Sequence, residues 1–347
     1  MLDEGSNNYI CSIFCDEKGY GLSFGDISTG EMNTTQIPAD NNRLFTELGK
    51  FSPNEIIFNA RFLDNREAGA FIKDKLSCTA DLVDEDTFAP AAAQLEILRQ
   101  FKAKSLLDLG LDDLPLAAAS LGALLAYLKE TQRTGLERIQ AVHLYHEDQF
   151  MRLDLTARRN LELTETMRGR ERRGTLLWVL DRTKTSMGKR LMKSTIEQPL
   201  VSPAVINRRL NAVEELTENS ILVSNLTDQL SGIYDMERLM TKIVYGSAGP
   251  RDLVALGATM RRLPGLKSLL EEVRCADLQE IYSKIDPLPD MEELISQSIL
   301  EEPPVTLKDG GVIRQGYSKE LDEVRYLSEH TKEVIASIEA REREATG

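Results

Sequence analysis

The kind of secondary structure changes part-way along this chain, and that change limits what the chain can fold into. Between residues 9 and 58, short apolar runs alternate with turn residues, which predicts β-strands. Beyond residue 114, the apolar residues recur mainly at helical spacing. With 347 residues, the chain is long enough for two or more domains. We therefore predict a multidomain protein, with an α/β domain followed by a mainly helical domain.

The early strands are expected to form an antiparallel meander that leads into a crossover. Short turns separate the apolar runs of this meander, which are residues 9–14, 20–26 and 32–37. Residues 43–50 then predict a helix, and the apolar run 55–58 predicts a buried strand after the crossover. A second helix is expected over residues 67–76.

Helices are expected through most of the remaining chain. Residues 91–100 favour a helix by composition, and residues 114–131 predict another whose small residues allow close packing against a neighbour. Residues 139–146 and 150–155 differ, because they predict a pair of strands that opens the second domain. Trp178 lies in an apolar run and is expected to fill the core.

Capping residues and prolines bound three later helices. Thr185 or Ser186 caps the first, and a proline at the first helical position opens each of the other two. Pro264-Gly265 is expected to end the third. The three predicted helices are residues 187–197, 204–218 and 251–262.

The last helix is expected to run from residue 317 to about residue 346 with a narrow apolar stripe near period 3.5. Such a narrow stripe requires a partner helix, so the end from about Glu339 is expected to fray or to borrow a neighbouring molecule. The stripe consists of Leu321, Val324, Leu327, Thr331, Val334 or Ile335, and Ile338.

The charge of the chain is strongly uneven. The net charge of −14 argues against binding of nucleic acid by the whole chain. Residues 151–195, however, carry 12 Lys and Arg against 5 Asp and Glu. The densest basic stretch contains Gly169 and Gly174 and is predicted to be an exposed loop, here named the basic loop (residues 168–174). One interpretation is that the basic loop contacts phosphate or an acidic surface of a neighbouring domain. The other is that it is a solvated loop without such a contact. Its cations are Arg168, Arg170, Arg172 and Arg173.

The sequence has no pattern typical of a metal site or of a membrane or secreted protein. His143 and His146 lie three apart on a predicted strand and should face opposite sides, which argues against metal binding. There is neither a long apolar run nor a secretory signal. The cysteines lack CxxC spacing and are expected to be reduced thiols; they are Cys11, Cys15, Cys78 and Cys275.

Catalytic motifs are also missing from the sequence. The nearest candidate for a phosphate-binding loop is Gly188-Lys189, but Thr183 occupies the place of the first glycine and Arg190 follows the lysine. No GxSxG or HExxH motif occurs. We therefore predict that this polypeptide alone is not an enzyme.

Residues 153–200 carry an ordered set of signature residues, and the main ones are Asp154, Arg159, Asn160, Glu162, Asp181 and Gly188. By this set the chain resembles the core domain of the MutS family of DNA mismatch repair proteins. Thr195 departs from the resemblance, because the family usually has Trp there.

Other segments extend the resemblance over nearly the whole chain. Tyr20-Gly21-Leu22 and residues 26–31 look like the family's connector domain, and Gly316-Tyr317 with Leu321-Asp322 looks like the start of its lever helix. Ser318 stands where the family usually has Asp. The resemblance implies a ribonuclease-H-like connector domain over residues 1–113, a linking helix over 114–137, and a core and lever domain over 138–347 that ends at the start of the clamp.

The ribonuclease-H-like expectation raises a nuclease alternative. Nucleases of this fold need several carboxylates that converge on Mg²⁺. Asp16 lies in the turn after the first strand and Asp26 is alone on the second, so the sequence argues against nuclease activity.

The resemblance further implies a role as the central structural and allosteric-transmission part of a protein that recognises mismatched DNA and hydrolyses ATP. The mismatch-reading, clamp and ATPase regions are not recognisable here, so the chain is expected to be a central piece that needs no cofactor itself; ATP and Mg²⁺ belong to the ATPase domain. The implied partners are mismatched double-stranded DNA through the full-length protein, MutL through the connector, and a second MutS subunit. No membrane partner is implied, and the implied location is the cytoplasm. The alternative is a helical protein-interaction scaffold unrelated to DNA repair.

Overall fold

The computed structural model describes residues 5–76, 78–132 and 136–347. The chain divides into two compact units. One contains Met1–Ser247 and Gly265–Ile285, and the other contains Ala248–Pro264 and Asp286–Gly347. The domain boundaries expected near residues 113 and 138 stay predictions. No helix in the described part of the chain is long and apolar enough to cross a membrane.

Six strands form one mixed sheet within the described part of the first unit. They are β1 (Ile10–Cys15), β2 (Gly19–Asp26), β3 (Glu31–Pro38), β4 (Glu55–Phe58), β5 (Thr79–Leu82) and β6 (His143–Leu144). Their order across the sheet is β5-β4-β1-β2-β3-β6. Strands β1, β2 and β3 pair antiparallel, which confirms the predicted meander, and β4 pairs parallel to β1.

Helices cover both faces of this sheet. They are α1 (Asn41–Phe51), α2 (Arg66–Phe71), α3 (Pro90–Phe101) and α4 (Pro115–Gln132). A π-helical turn at Ile72–Leu76 continues α2, so the single helix predicted over residues 67–76 has two parts. One apolar core includes Leu22 and Phe24 of β2 with Leu44 and Leu48 of α1, and a second core contains the apolar residues of α3 and α4.

Small residues let α4 lie directly against the sheet. Since alternate residues of a strand face opposite sides, the glycines and serine of β2 face away from the core that holds Leu22. A Cβ on Gly21 would come within 1.8 Å of the carbonyl oxygen of Leu116. Ser120 Oγ donates to the carbonyl oxygen of Ser12 at 2.8 Å. The segment predicted as a linking helix thus packs across the middle of the sheet.

The rest of the first unit is helical. Its further helices are α5 (Leu155–Asn160), α6 (Leu176–Leu180), α7 (Ser186–Glu197), α8 (Pro203–Glu218), α9 (Ser220–Ser231), α10 (Met236–Val244) and α12 (Ala276–Lys284), and α11 (Pro250–Leu269) spans both units. The predicted helix 187–197 and its Thr185 cap are confirmed, and so is Pro203 at the first position of α8. The predicted end of the next helix is wrong, because Pro264 lies inside α11.

The second unit holds the remaining helices, α13 (Pro289–Ser298), α14 (Lys319–Glu329) and α15 (Thr331–Thr346). A bridge between Ile299 and Ile313 lies between α13 and α14, and Arg325 donates to the carbonyl oxygen of Ile313 at 2.8 Å. The expectation of one unbroken last helix is wrong, because His330 has non-helical backbone angles and separates α14 from α15. The Val334 side chain of the predicted stripe lies outside the described part of the structure.

Two further sequence expectations are corrected by the structure. The predicted strand pair at residues 139–146 and 150–155 does not form: β6 pairs with β3 instead, and Phe150 makes an isolated bridge with Leu200. Trp178 does not fill the core, since 47% of its surface is exposed. The neighbouring Leu177 is the buried residue of the short helix α6, so Trp178 points away from that core.

Candidate functional site

One arginine joins helix α1 of the α/β part to the helical segment of the first unit. The Arg158 guanidinium donates to the carbonyl oxygens of Gly49 and Glu197, both at 3.0 Å, and to that of Leu153 at 3.1 Å. Gly49 and Glu197 lie in the last turns of α1 and α7, where carbonyls have no partner within their own helix. The cation also complements the negative ends of both helix dipoles. We name this arrangement the Arg158 joint (Arg158, Gly49, Glu197).

Burial dominates the electrostatics of the Arg158 joint. Burial lowers the pKa of Arg158, against the opposing effect of nearby carboxylates. Burial also raises the pKa of the Glu197 carboxyl, although Lys193, Arg158 and a hydrogen bond from Thr164 act in the other direction. The Thr164 hydroxyl donates to Glu197 Oε1 at 3.3 Å. The joint therefore contains a carboxyl group whose ionisation burial opposes.

A buried polar cluster lies on the same helix as one of the carbonyls of the Arg158 joint. The side chains of Glu47 and Lys50 on α1 are only 5% and 4% exposed, and their charged atoms lie 3.5 Å apart. Tyr145 donates its hydroxyl to Glu47 Oε2 at 2.6 Å, and the Lys50 ammonium lies 4.0 Å from the centre of the Tyr145 ring. Burial and the neighbouring Glu47 raise the pKa of Tyr145. These contacts attach α1 to the segment that follows β6.

Helix α10 makes a second set of contacts with the N-terminal region. The Thr241 hydroxyl donates to the carbonyl oxygen of Ser28 at 2.8 Å, in the turn between β2 and β3. Arg238 donates to the carbonyl oxygen of Ser6, also at 2.8 Å. Because these contacts join residues more than two hundred positions apart, they fix α10 against the α/β part of the unit.

The signature residues on and after α5 shape the backbone. Asp154 caps α5 by accepting from the Ala157 amide at 2.6 Å. Glu162 has a left-handed backbone with φ +46° and accepts from the Met167 amide at 2.7 Å, so it closes the turn that leads to the basic loop. Arg159 and Asn160 are exposed.

Asp181 holds the segment between α6 and α7. It accepts from the Thr183 amide at 2.9 Å and from the Thr183 hydroxyl at 2.5 Å, and it pairs with Arg172 of the basic loop. Burial raises its pKa, but the bonds from Thr183 and the Arg172 guanidinium outweigh this effect, so the net shift of the Asp181 pKa is downward. An ionised Asp181 therefore ties the basic loop to the segment between α6 and α7.

Gly188 lies beneath the cap of α7. The Thr185 hydroxyl accepts from the Gly188 amide at 3.0 Å, and a Cβ on Gly188 would lie 3.0 Å from that same hydroxyl oxygen. The capping bond stabilises such a helix by roughly 1 kcal/mol. Gly188 therefore leaves room for this cap.

A partly buried ion pair connects α7 to α10; its residues belong to the sequence resemblance, but their pairing was not predicted. Arg190 binds Asp235 through two bonds of 2.7 and 2.8 Å and Glu237 through one of 2.5 Å. Burial alone would lower the pKa of Arg190, but the bonds to both carboxylates raise it. The Arg190 side chain is only 5% exposed, whereas Asp235 is 16% and Glu237 is 44% exposed. An arginine on the buried face of an amphipathic helix was the available sequence signal.

The basic loop is exposed, as predicted, but its four arginines have different surroundings. Arg172 pairs with Asp181, and both Arg170 and Arg172 line a cleft together with Lys189 and Lys193 of α7. Arg168 and Arg173 do not line that cleft. Within residues 5–76, 78–132 and 136–347, no group of three or more His, Cys, Asp or Glu side chains could hold a metal ion.

Comparison with protein families assigns both halves of the chain. The family model described as MutS domain II matches residues 8–140, and the model described as MutS domain III matches residues 156–346. The chain belongs to the MutS family. The second model covers the Arg158 joint residues Arg158 and Glu197 as well as the basic loop.

Curated relatives agree with this assignment along the whole chain. Proteins named DNA mismatch repair protein MutS from Acetivibrio thermocellus and Alkaliphilus oremlandii are 40% and 41% identical over 350 and 351 residues. That of Caldanaerobacter subterraneus subsp. tengcongensis is 40% identical over 348 residues. Each match covers 100% of this chain but 40% of the relative, so the chain spans about two fifths of the length of these relatives. The comparisons do not support an unrelated scaffold.

Proposed function

We propose that this chain forms the connector and core of a DNA mismatch repair protein and transmits displacement between that protein's mismatch-binding and ATP-hydrolysing parts. The family assignment supports the repair role. Support for transmission comes from the Arg158 joint, which makes the α/β part and the helical segment share hydrogen-bonded helix ends. Close-packed elements of this kind shift as rigid bodies and do not deform smoothly.

A ribonuclease-H-like connector is part of this proposal. The order β3-β2-β1-β4-β5, with the first three strands antiparallel and the last two parallel to β1, supports it. In this proposal, the connector has the ribonuclease-H-like sheet but lacks nuclease activity.

The two acids at the ends of the β1–β2 hairpin support a connector without nuclease activity. Asp16 follows Cys15, which pairs with Tyr20, whereas Asp26 lies at the far end of β2. At about 3.3 Å per residue, this separates the two carboxylates by roughly 20 Å, too far to share a metal ion. Asp26 instead accepts from the Ser28 amide at 2.9 Å and from the Asn8 amide at 3.1 Å.

The proposed partners are those of the longer protein. We propose that mismatched double-stranded DNA is bound through the full-length protein, that MutL docks on the connector, and that a second MutS subunit completes the assembly. ATP and Mg²⁺ would act in the ATPase region, and the working compartment would be the cytoplasm. The net charge of −14 is consistent with weak binding of DNA by this portion alone.

Two measurements on the whole chain test the proposal. Immobilised chain is expected to capture purified MutL. Anisotropy of a labelled duplex, with and without a G·T mismatch, is expected to show weak binding that is lost between about 50 and 200 mM salt and shows no preference for the mismatch. Failure to capture MutL, together with no duplex binding at low salt, would contradict the repair role and favour a scaffold. Hydrolysis of ATP by the purified chain would contradict its non-enzymatic part.

A further inference from the structure

A polar cleft opens beside the basic loop. Its volume is about 360 Å³, at the lower end of the roughly 300–1,000 Å³ of ligand pockets. Its cations come from two elements, since Arg170 and Arg172 belong to the loop and Lys189 and Lys193 belong to α7. We name this site the basic cleft, defined by these four residues.

The charges that line the basic cleft do not balance. Two acids, Glu165 and Asp181, face its four cations. Asp181 already accepts from Arg172 and Thr183, so it has little capacity left for the other cations. The cleft thus has an excess of positive charge within a chain whose net charge is −14. Such a local excess attracts anions.

The basic loop is fixed by its own hydrogen bonds, which hold the backbone that carries its arginines. The Thr166 amide donates to the carbonyl oxygen of Glu171 at 3.0 Å, and the Thr166 hydroxyl accepts from the Glu171 amide at 3.1 Å. That hydroxyl also donates to the carbonyl oxygen of Arg168 at 2.8 Å. Arg170 has a left-handed backbone with φ +51°, which is uncommon for a residue other than glycine. A site preorganised in this way loses less entropy when a ligand binds.

The two lysines of the cleft repel one another, although the Glu197 carboxyl lies near Lys193. Lys189 and Lys193 are four residues apart on α7 and therefore share one helix face, where like charges repel. Lys189 also lies near the positive end of the helix dipole, which disfavours a cation. Lys193 donates to the Ser6 hydroxyl at 3.3 Å. An anion between the lysines and the loop would offset both the repulsion and the dipole.

We propose that the basic cleft is a binding site for phosphate groups, either as free inorganic polyphosphate or as the phosphodiester backbone of a nucleic acid. Arginine forks and lysine ammonium groups together match the several oxygens of a phosphate. Leu177 is the only large apolar residue in the described lining, so an apolar or aromatic ligand would find little to pack against. This site goes beyond the transmission role, and it does not depend on MutL capture.

Pyrophosphate and a short matched duplex are the two probes for this site. Calorimetric titration at constant ionic strength would compare the wild-type chain with the double variant Lys189→Gln/Lys193→Gln. The matched control is Lys73→Gln/Lys75→Gln, which removes the same charge from an exposed turn of the connector. We expect the cleft variant to bind at least fivefold more weakly and the control to change by less than twofold. Circular dichroism and melting temperature would establish that the variants are folded.

Each outcome of the titrations decides the proposal. If the cleft variant loses affinity for pyrophosphate, the site is supported with free phosphate as its ligand. If it loses affinity for the duplex alone, the site is supported with the nucleic-acid backbone as its ligand. Equal affinities for the cleft and control variants overturn the proposal, as does a wild-type chain that binds neither probe. If the double variant does not fold, Arg170→Gln decides in the same way, because its side chain is exposed on the loop.

Discussion

Two adjacent arginines on α5 have very different surroundings. Arg158 donates to three backbone carbonyls, whereas Arg159 is exposed. The sequence resemblance singled out Arg159 and not Arg158. The reason is physical: one acceptor of Arg158 is 109 positions away in the chain, so only the fold brings the two together. By contrast, the Thr185 cap was predictable because its bond to Gly188 spans three residues.

At the residue scale, Glu197 predicts a measurable pH dependence. Its folded pKa is raised above the unfolded value, so the stability linked to its protonated form is complete below about pH 4.3 and is lost as pH rises through the folded pKa. The variant Glu197→Gln lacks this loss. We expect it to gain stability relative to the wild type between pH 4 and pH 8, as measured by thermal unfolding.

The matched control is Glu130→Gln, which removes the same charge from an exposed position. A difference between Glu197→Gln and the wild type that stays constant over the whole pH range would show that burial does not disfavour the Glu197 carboxylate.

At the element scale, strands whose residues are buried were easier to predict from the sequence than strands whose residues are exposed. The strand at residues 55–58 was predicted with its observed bounds, because its apolar residues are buried. Strand β5 was missed, since all four of its residues are exposed and it is held by backbone pairing to β4. The predicted strand pair failed because Ile139 and Tyr145 are buried in cores against helices and do not pair with residues 150–155. The end of α14 before His330 was not predicted, because no glycine or proline marks it in the sequence.

The close approach of α4 to β2 predicts intolerance of a single methyl group. Gly21→Ala would place a Cβ against the backbone of α4, which cannot move without shifting the helix. We expect a loss of about 3 kcal/mol in the free energy of unfolding, or failure to fold, as measured by urea denaturation. Gly69→Ala is the matched control, because nothing lies within 4 Å of its Cβ and alanine favours the helix. Similar stability for both variants would contradict the packing of α4 on β2.

Helix α15 predicts fast hydrogen exchange at its end. Ile335 and Ile338 are 60% and 44% exposed, so the apolar stripe has little packing of its own within the second unit. Amides of residues 339–346 are expected to exchange much faster than those of the buried helix α4 in the same sample. Slow exchange at residues 339–346 in a monomer would show that α15 is stable without a partner.

At the scale of the whole molecule, the Arg158 joint predicts how the α/β part and the helical segment separate. Arg158→Gln would leave three carbonyls without their charged donor, and hydrogen bonds to charged groups contribute roughly 1.5–3 kcal/mol. We expect a loss of about 3 kcal/mol in urea unfolding and faster hydrogen exchange near residues 48–52 and 196–199. Arg159→Gln removes the same charge one position away and should change neither measurement. Equal behaviour of the two variants would remove the structural support for transmission.

The guanidinium of Arg158 serves the carboxyl ends of α1 and α7 at once, and this sharing has a consequence for movement. Pulling the helices apart would leave the cation, which α5 carries, with at most one of the two carbonyls, so one helix end would lose its charged donor. The Gly49 carbonyl oxygen also accepts from the Ser52 hydroxyl at 2.9 Å, so the carboxyl end of α1 would keep one donor after such a separation.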